Sequence, residues 1–270
     1  MTVGEPIYLD SEALLEEVSV LEFAEHRTVT DPQQLSDGDD VFFIKSGRAL
    51  IREGSVLSSR LDATQTFKAG DAIYLAAALS KRPRHWKFML PEPLEVIAIG
   101  GDVLRKAVMD SSFLINEVIR NSVTRIFNLK QRENATFENR FLSQFRKIAL
   151  RSCYKAGHCI YRIGDPAMGL YFIERGQVYL TTGRRARFAE LRETDFFGET
   201  SLLTSDRRGK NIYAKTDCSV LLLDRVTFQS IIEKESALVK LVLINIITVL
   251  EHMNRLRFGH LNVSKFHQSS

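Results

Sequence analysis

One segment of the chain, residues 197–217, carries a glycine, a carboxylate and an arginine at a spacing that could hold an anion. Gly198 and Glu199 stand where a short helical turn is expected to open, and Arg208 follows nine residues after Glu199. Without a side chain at Gly198 an anion can approach the backbone, whose unpaired N–H groups supply donors. Arg208 would neutralise the anion through two parallel charge-assisted hydrogen bonds, which a lysine cannot reproduce.

Glu199 is too close to such an anion to help bind it and therefore needs another purpose. A carboxylate can accept a hydrogen bond from a ribose hydroxyl, so a carboxylate beside a phosphate site indicates a sugar phosphate. The alternative is that the glycine and an ion pair simply hold a turn together. The predicted ligand-binding residues are Phe197, Gly198, Glu199, Thr200, Ser201, Arg208, Gly209 and Lys210.

A segment such as residues 197–217 has to be held in place by the surrounding strands, and the sequence shows short β-type runs interrupted by Gly, Asp and Pro. In the first half of the chain the runs are residues 40–51, 69–74 and 94–99. Such spacing is typical of an antiparallel roll or barrel. Residues 102–130 then change to a helical period and continue into a polar stretch, which we interpret as a helical connector.

The same plan repeats in the second half. The motif Phe-Ile-x-x-Gly occurs at residues 43–47 and again at 172–176. One offset of 124 residues relates two further motifs, Gly70 to Thr194 and Arg84 to Arg208. A shared offset indicates duplication of a domain. The predicted organisation is a first domain at 1–130, a connector at 131–146 and a second domain at 147–270.

The first copy lacks part of the anion-binding pattern. Tyr74 and Leu75 occupy the positions of Gly198 and Glu199, although Arg84 is retained. Leucine cannot accept a ribose hydrogen bond, and a tyrosine side chain would crowd an anion. We therefore expect Arg84 to serve structure or an altered ligand in a degenerate first site. Trp86 could stack on a base, but core or interface packing is the simpler interpretation.

The second copy resembles the cyclic nucleotide-binding domain family, found in regulatory subunits of cyclic-AMP-dependent kinase, catabolite activator proteins and gated channels. Residues 197–217 resemble the phosphate-binding cassette of that family, and the resemblance extends roughly from Phe145 to Leu256. It implies a mainly β fold with flanking helices, that is, two tandem β-rolls of the double-stranded β-helix or jelly-roll-like type. It also implies Glu199 on the ribose 2′-hydroxyl and Arg208 on the cyclic phosphate.

The cassette departs from the family pattern at two places. Arg207 stands where proline is common, and Gly209, Lys210 and Asn211 replace a run of small residues. Many cyclic-GMP binders carry a hydroxyl group directly after the arginine, and Gly209 has none. The resemblance therefore favours cyclic AMP over cyclic GMP as the ligand, with no further cofactor.

Residues 226–258 predict a long terminal helix with a heptad seam and a second apolar stripe. The helix is expected either to close over the nucleotide base and pack within its own chain, or to form a homodimer. Its longest apolar stretch, residues 237–250, is shorter than the roughly 20 residues of a membrane span. Only twelve residues follow Phe258, too few for a helix-turn-helix, so we expect no DNA-binding module.

Composition excludes several other classes. The net charge of +4 over 270 residues does not by itself predict a nucleic-acid partner. The amino terminus has no secretory pattern, so we expect a cytoplasmic protein. The six histidines show no metal-ligand spacing, and neither a nucleophile elbow nor a P-loop occurs, so we expect no enzyme.

The resulting hypothesis is a sensor that binds cyclic AMP, or with less support cyclic GMP, in the second roll and signals to an effector protein through helix rearrangement. One alternative is a protein-interaction scaffold whose nucleotide sites are degenerate. Another is a receptor for a different cyclic ligand, such as a cyclic dinucleotide bound through Arg84 or Arg208.

Overall fold

The computed structural model describes residues 9–36, 38–52, 65–84, 86–127, 144–145, 147–182, 187–204 and 207–266. These residues form two compact units. Of these residues, the amino-terminal unit comprises those within 9–127 and 235–259, and the carboxy-terminal unit comprises those within 144–234 and 260–266. Each unit contains antiparallel sheets flanked by helices, so the predicted β-rich fold with flanking helices is confirmed. Most of the predicted connector at 131–146 lies outside the described residues.

The amino-terminal unit contains two antiparallel sheets with strand orders β1-β7-β2-β5 and β4-β3-β6. Phe42 and Ile44 of β2 pack against Ile51, Phe67 and Phe88 from the second sheet, and this cluster is the core of the unit. Its strands are β1 Glu25–Val29, β2 Val41–Ser46, β3 Ala49–Arg52, β4 Gln65–Phe67, β5 Ala72–Ile73, β6 Lys87–Met89 and β7 Leu94–Ile99. Its helices are α1 Ser11–Ser19, a 3-10 turn at Pro32–Leu35, α2 Leu75–Ser80, α3 Gly101–Asp110 and α4 Phe113–Ile126.

The carboxy-terminal unit also has two antiparallel sheets, with strand orders β13-β10-β15-β8 and β12-β11-β14-β9. Tyr171 and Ile173 alternate toward the interior, where they meet Val178, Leu180 and Ile212 of the other sheet. The strands are β8 Leu150–Tyr154, β9 Cys159–Tyr161, β10 Gly169–Arg175, β11 Gln177–Thr181, β12 Arg187–Arg192, β13 Phe196–Phe197, β14 Asn211–Ala214 and β15 Cys218–Asp224. The helices are α5 Glu199–Thr204 and α6 Arg225–Glu233.

From β5 onward in the first half and from β13 onward in the second, the elements follow each other in the same order. The offset of 124 residues found in the sequence also relates the first residues of six element pairs. These pairs are β5 and β13, α2 and α5, β6 and β14, β7 and β15, α3 and α6, and α4 and the last helix, α7 Ala237–Phe266. The same offset therefore relates both the sequence motifs and these element starts.

The terminal helix differs from the prediction. Residues 226–258 do not form one helix, because α6 ends at Glu233 and α7 begins at Ala237. Residues 235–259 also belong to the same compact unit as residues 9–127, not to the unit that contains the second roll. The predicted lid over the second site remains a prediction. The domain boundaries at 130 and 147 themselves remain a prediction.

Over residues 237–254, helix α7 is buried around most of its circumference. Val242 and Ile246 of the predicted seam are fully buried, as are Leu243 and Ile247 of the second stripe. Residues Ala237–Asn254 form the one window, within the part of the chain that the structure describes, that is long and apolar enough to span a membrane. Because 67% of that window is buried in the protein, a core helix explains its composition.

Candidate functional site

The candidate site begins where β13 leaves the sheet. Phe197 pairs with Tyr171 of β10, and the next residue, Gly198, adopts the left-handed conformation with φ of 90°. Helix α5 then starts at Glu199. A Cβ atom at position 198 would lie 2.6 Å from Nη1 of Arg208. The glycine is therefore required both by the turn and by the guanidinium beside it.

Arg208 is buried, with 2% of its surface exposed. Its Nη1 donates to the carbonyl of Gly198 at 2.8 Å and to Oγ of Ser201 at 3.2 Å, and its Nη2 donates to the carbonyl of Gly169 at 2.7 Å. Its own main-chain N–H donates to the carbonyl of Asp165 at 2.9 Å. These bonds fix the guanidinium against the turn that carries Glu199.

Aromatic rings enclose the same guanidinium. Its carbon lies 4.4 Å from the ring centroid of Tyr161 and 5.4 Å from that of Tyr171. The Tyr171 and Phe197 rings stack at 4.9 Å with an interplanar angle of 3°. The Nε–H of Arg208 has no acceptor among the described residues. The Nε–H is therefore the donor that a ligand could use directly. A ligand that bonds to the Nη groups has to displace their contacts with carbonyls.

Glu199 lies in the same turn. It is the first residue of α5 and has 3% of its surface exposed. Both Gly198, before it, and Ser201, after it, contact Arg208. A carboxylate at a helix amino terminus is stabilised by the N–H dipoles of the first turn. The two residues that the sequence singled out are therefore brought into one buried site.

Burial changes the acidity of one tyrosine in this site. The hydroxyl of Tyr171 loses solvation on burial, which raises its pKa above the ordinary value of 10.0, while the positive charge of Arg208 acts in the opposite direction. Tyr171 therefore stays neutral through the physiological pH range.

The other predicted site residues have different places. Phe197 is a core residue with 1% exposure, and the carbonyl of Thr200 accepts a bond from the Thr204 hydroxyl. Gly209 is exposed and Lys210 is half-buried. Arg208 precedes β14, which starts at Asn211, and lies beside an isolated antiparallel bridge between Pro166 and Arg207.

The corresponding turn of the first copy is built differently. Tyr74 takes the left-handed conformation with φ of 66°, and its hydroxyl donates to the carbonyl of Trp86 at 2.8 Å. Arg84 donates to the carbonyls of Leu35 and Asp40 and lies over the Tyr74 ring, with its guanidinium carbon 4.6 Å from the centroid. Arg84 thus joins this turn to Leu35, at the end of the 3-10 turn, and to Asp40, directly before β2.

The expected packing role of Trp86 is confirmed, since Trp86 is half-buried and packs against the core cluster of its unit. Leu75, at the position of Glu199, is buried with 1% exposure and offers no acceptor. His85 lies outside the described residues. The structure therefore gives the first copy an arginine without the carboxylate and without the open glycine.

Three residues of the second site were missed in the sequence. Tyr161, Tyr171 and the carbonyl of Gly169 all contact Arg208. Strand alternation could have placed Tyr171 on the inner face beside Ile173. Nothing in the sequence indicates the carbonyl contact, because it depends on how β10 meets the turn. Within the described residues no group of three or more His, Cys, Asp or Glu could hold a metal ion.

Comparison with known proteins agrees with the geometry of the second copy. Residues 151–235 match the family described as cyclic nucleotide-binding domain. The chain is 28% identical over 162 residues to a cAMP-dependent protein kinase regulatory subunit of Aspergillus niger, which covers 58% of this chain and 37% of that protein. A type II regulatory subunit of Drosophila melanogaster is 24% identical over 67% of this chain and 46% of its own length. The chain thus spans less than half the length of these curated relatives.

Among solved structures, the chain is similar to the catabolite activator protein of Thermus thermophilus. The two are 26% identical over 53% of this chain and 63% of that chain, with a TM-score of 0.36. The family match covers β8 to the end of α6, together with Gly198, Glu199 and Arg208. Residues 151–235 of this chain, which include the candidate site, match the cyclic nucleotide-binding domain family.

Proposed function

We propose that this chain is a cyclic nucleotide sensor without catalytic activity, and that cyclic AMP binds in the turn formed by Gly198, Glu199 and Arg208. The observation that supports this most directly is the convergence of a buried carboxylate and a buried guanidinium on one turn, inside the residues that match the family. An incoming phosphate would accept hydrogen bonds from this guanidinium, whose Nε–H has no acceptor among the described residues.

The proposed binding mode follows from the donors in the turn. The free Nε–H of Arg208 and the main-chain N–H groups at the start of α5 would donate to the cyclic phosphate. Glu199 would accept a bond from the ribose 2′-hydroxyl. Tyr161, which is half-buried on the guanidinium, would rotate away to admit the phosphate. Gly209 has no hydroxyl to meet a guanine, which favours cyclic AMP over cyclic GMP.

The proposed output passes through the helices. Helix α6 follows β15 directly and is joined to α7 by residues 234–236. A nucleotide that biases the position of α6 would therefore act on α7 through a short link. The curated relatives are regulatory subunits of a cAMP-dependent protein kinase, so a kinase catalytic subunit is the first effector to test.

We further propose that both copies are β-rolls of the nucleotide-binding type and that the first is degenerate. The common element order and the offset of 124 residues support this, although the family match covers only the second copy. The cytoplasm remains the proposed location, and a homodimer remains open only through surfaces other than the buried seam of α7.

Isothermal titration calorimetry tests the proposal. Cyclic AMP should bind the wild-type chain, and Arg208→Ala should lower the affinity about 30-fold or more, because losing a buried charge-assisted partner costs about 2–4 kcal/mol. Arg207→Ala is the matched control, since Arg207 is exposed and its Nη1 donates to the carbonyl of Gly164 at 3.2 Å. Its affinity for cyclic AMP should remain close to that of the wild type.

A scaffold with degenerate sites is the second candidate function. It is favoured by the three acceptors already bound to Arg208 and by the tyrosine rings that cover it. If neither cyclic AMP nor cyclic GMP gives heat or a thermal shift with the wild-type chain, while a protein partner still co-purifies with it, the scaffold replaces the sensor.

A further inference from the structure

A cavity of about 140 Å³ lies in the amino-terminal unit, beside the turn of the first copy. Tyr74, Ala76, Arg84 and Trp86 form part of its wall, and Val249 and Met253 of α7 close it from the other side. All of these residues belong to the same compact unit. The cavity therefore occupies, in the first copy, the place next to the cassette where the second copy has its candidate site.

The polar side chains in this wall already have partners. Arg84 donates to two main-chain carbonyls and lies against the Tyr74 ring, and the Tyr74 hydroxyl donates to the carbonyl of Trp86. Burial raises the pKa of Tyr74, so its hydroxyl stays neutral. Among the described residues, no carboxylate lines the cavity. A charged ligand would have to break these bonds, whereas an apolar ligand leaves them in place.

The size of the cavity excludes a nucleotide. Pockets for drug-sized ligands begin at roughly 300 Å³, about twice this volume. An apolar cavity of about 150 Å³ stays dry and accepts benzene. The aromatic side chains of Tyr74 and Trp86 in the wall favour an aromatic occupant, because rings gain from stacked and edge-to-face contacts.

We propose that this cavity binds a small, flat, uncharged aromatic molecule of one or two fused rings. Because Val249 and Met253 lie on α7, an occupant contacts both this helix and the first copy. The bound molecule therefore stabilises the packing of α7 on the first copy by mass action, and the stabilisation grows with the logarithm of its concentration relative to its dissociation constant. The site does not depend on nucleotide binding at Arg208.

Trp86 is the only tryptophan of the chain and lines the cavity, so its fluorescence reports occupancy. Iodobenzene is the probe, since its iodine quenches a tryptophan in contact with it. Titration of the full-length chain should give a loss of emission that saturates, and the Tm should rise by a few degrees. The substitution Ala76→Leu fills the cavity and should abolish the saturable loss.

The matched control is Ala156→Leu, which adds the same atoms at an exposed position of the other unit. It should keep the saturable quenching. Val249→Phe fills the cavity from α7 and serves as a second filled variant if Ala76→Leu does not fold by circular dichroism. Quenching of the wild-type chain that only increases linearly, as for free tryptophan, overturns the proposal. So does saturable quenching that persists in a folded, filled variant.

Discussion

A side chain at position 198 would occupy space that the Arg208 guanidinium now fills. The Cβ of Gly198→Ala would lie 2.6 Å from Nη1 of Arg208 and 3.3 Å from its guanidinium carbon. The left-handed backbone alone costs a residue with a side chain about 1–2 kcal/mol, and overpacking adds about 1–3 kcal/mol. We expect a lower free energy of unfolding by denaturant and weaker binding of cyclic AMP.

Gly157→Ala separates these two costs. Gly157 has φ of 85°, and an added Cβ would meet nothing within 4 Å. This variant should therefore lose only the backbone contribution, about 1–2 kcal/mol. Equal losses for the two substitutions would mean that the guanidinium does not need the space at Gly198.

Two buried tyrosines predict how stability depends on pH. Burial raises the pKa of Tyr74 and of Tyr171 above 10.0. Each neutral hydroxyl therefore contributes stability that is fully present below pH 10, the ordinary pKa, and is lost as the pH rises toward the folded-state pKa. Denaturant unfolding between pH 8 and 12 should show falling stability above about pH 10.

Tyr171→Phe checks how much the carboxy-terminal unit contributes to this loss of stability at high pH. The variant cannot ionise at position 171, so its decline above about pH 10 should be shallower than that of the wild type. An identical slope in the two proteins would exclude Tyr171 as a source of the pH dependence.

At the scale of elements, Asn245 connects α7 to the first copy. It is buried with 2% exposure, and its Nδ2 donates to the carbonyl of Gly70 and, within α7, to the carbonyl of Leu241, each at 3.1 Å. Asn245→Ala leaves the Gly70 carbonyl without this donor. We expect a loss of about 1–3 kcal/mol, together with faster hydrogen exchange of the α7 amides.

Thr248→Ala is the control on the same helix, because the Thr248 hydroxyl bonds only to the carbonyl of Ile244, four residues earlier. It should cost less than about 1 kcal/mol. If both variants lose the same stability, the bond from Asn245 to Gly70 contributes nothing specific.

The order of the elements was largely predictable from the sequence, but the partner of α7 was not. The repeat at an offset of 124 residues correctly related Arg84 to Arg208, because both depend on short local turns. The seam through Val242 and Ile246 indicated a helix with more than one apolar face. Hydrophobic periodicity shows that a face is buried and not what covers it, so the sequence could not show that α7 packs in the amino-terminal unit.

The candidate site divides in the same way. Gly198, Glu199 and Arg208 were singled out because a glycine, a carboxylate and an arginine stand at a defined spacing. The packing of Tyr161 and Tyr171 on the guanidinium depends on contacts between strands that are distant in the sequence. Loop closure and register determine such contacts, and neither is visible in a local pattern.

At the scale of the whole molecule, each compact unit has its own buried cluster and its own candidate ligand. The cluster around Phe42 and Ile44 belongs to the amino-terminal unit, and the cluster around Tyr171 and Ile173 belongs to the carboxy-terminal unit. A ligand stabilises the folded state that binds it. Calorimetric unfolding of the full chain should therefore show two transitions that respond to different ligands.

Arg208→Ala and Ala76→Leu assign these transitions. Saturating cyclic AMP should raise the midpoint temperature of one transition by several degrees, and Arg208→Ala should abolish that shift. Iodobenzene should raise the midpoint temperature of the other transition, and Ala76→Leu should abolish that second shift. A single transition that moves equally with both ligands would contradict the division, because the two clusters would then unfold as one cooperative core.

Because α6 and α7 are joined by only three residues, Lys234 to Ser236, lengthening this link should leave both shifts unchanged while reducing any effect of cyclic AMP on effector binding.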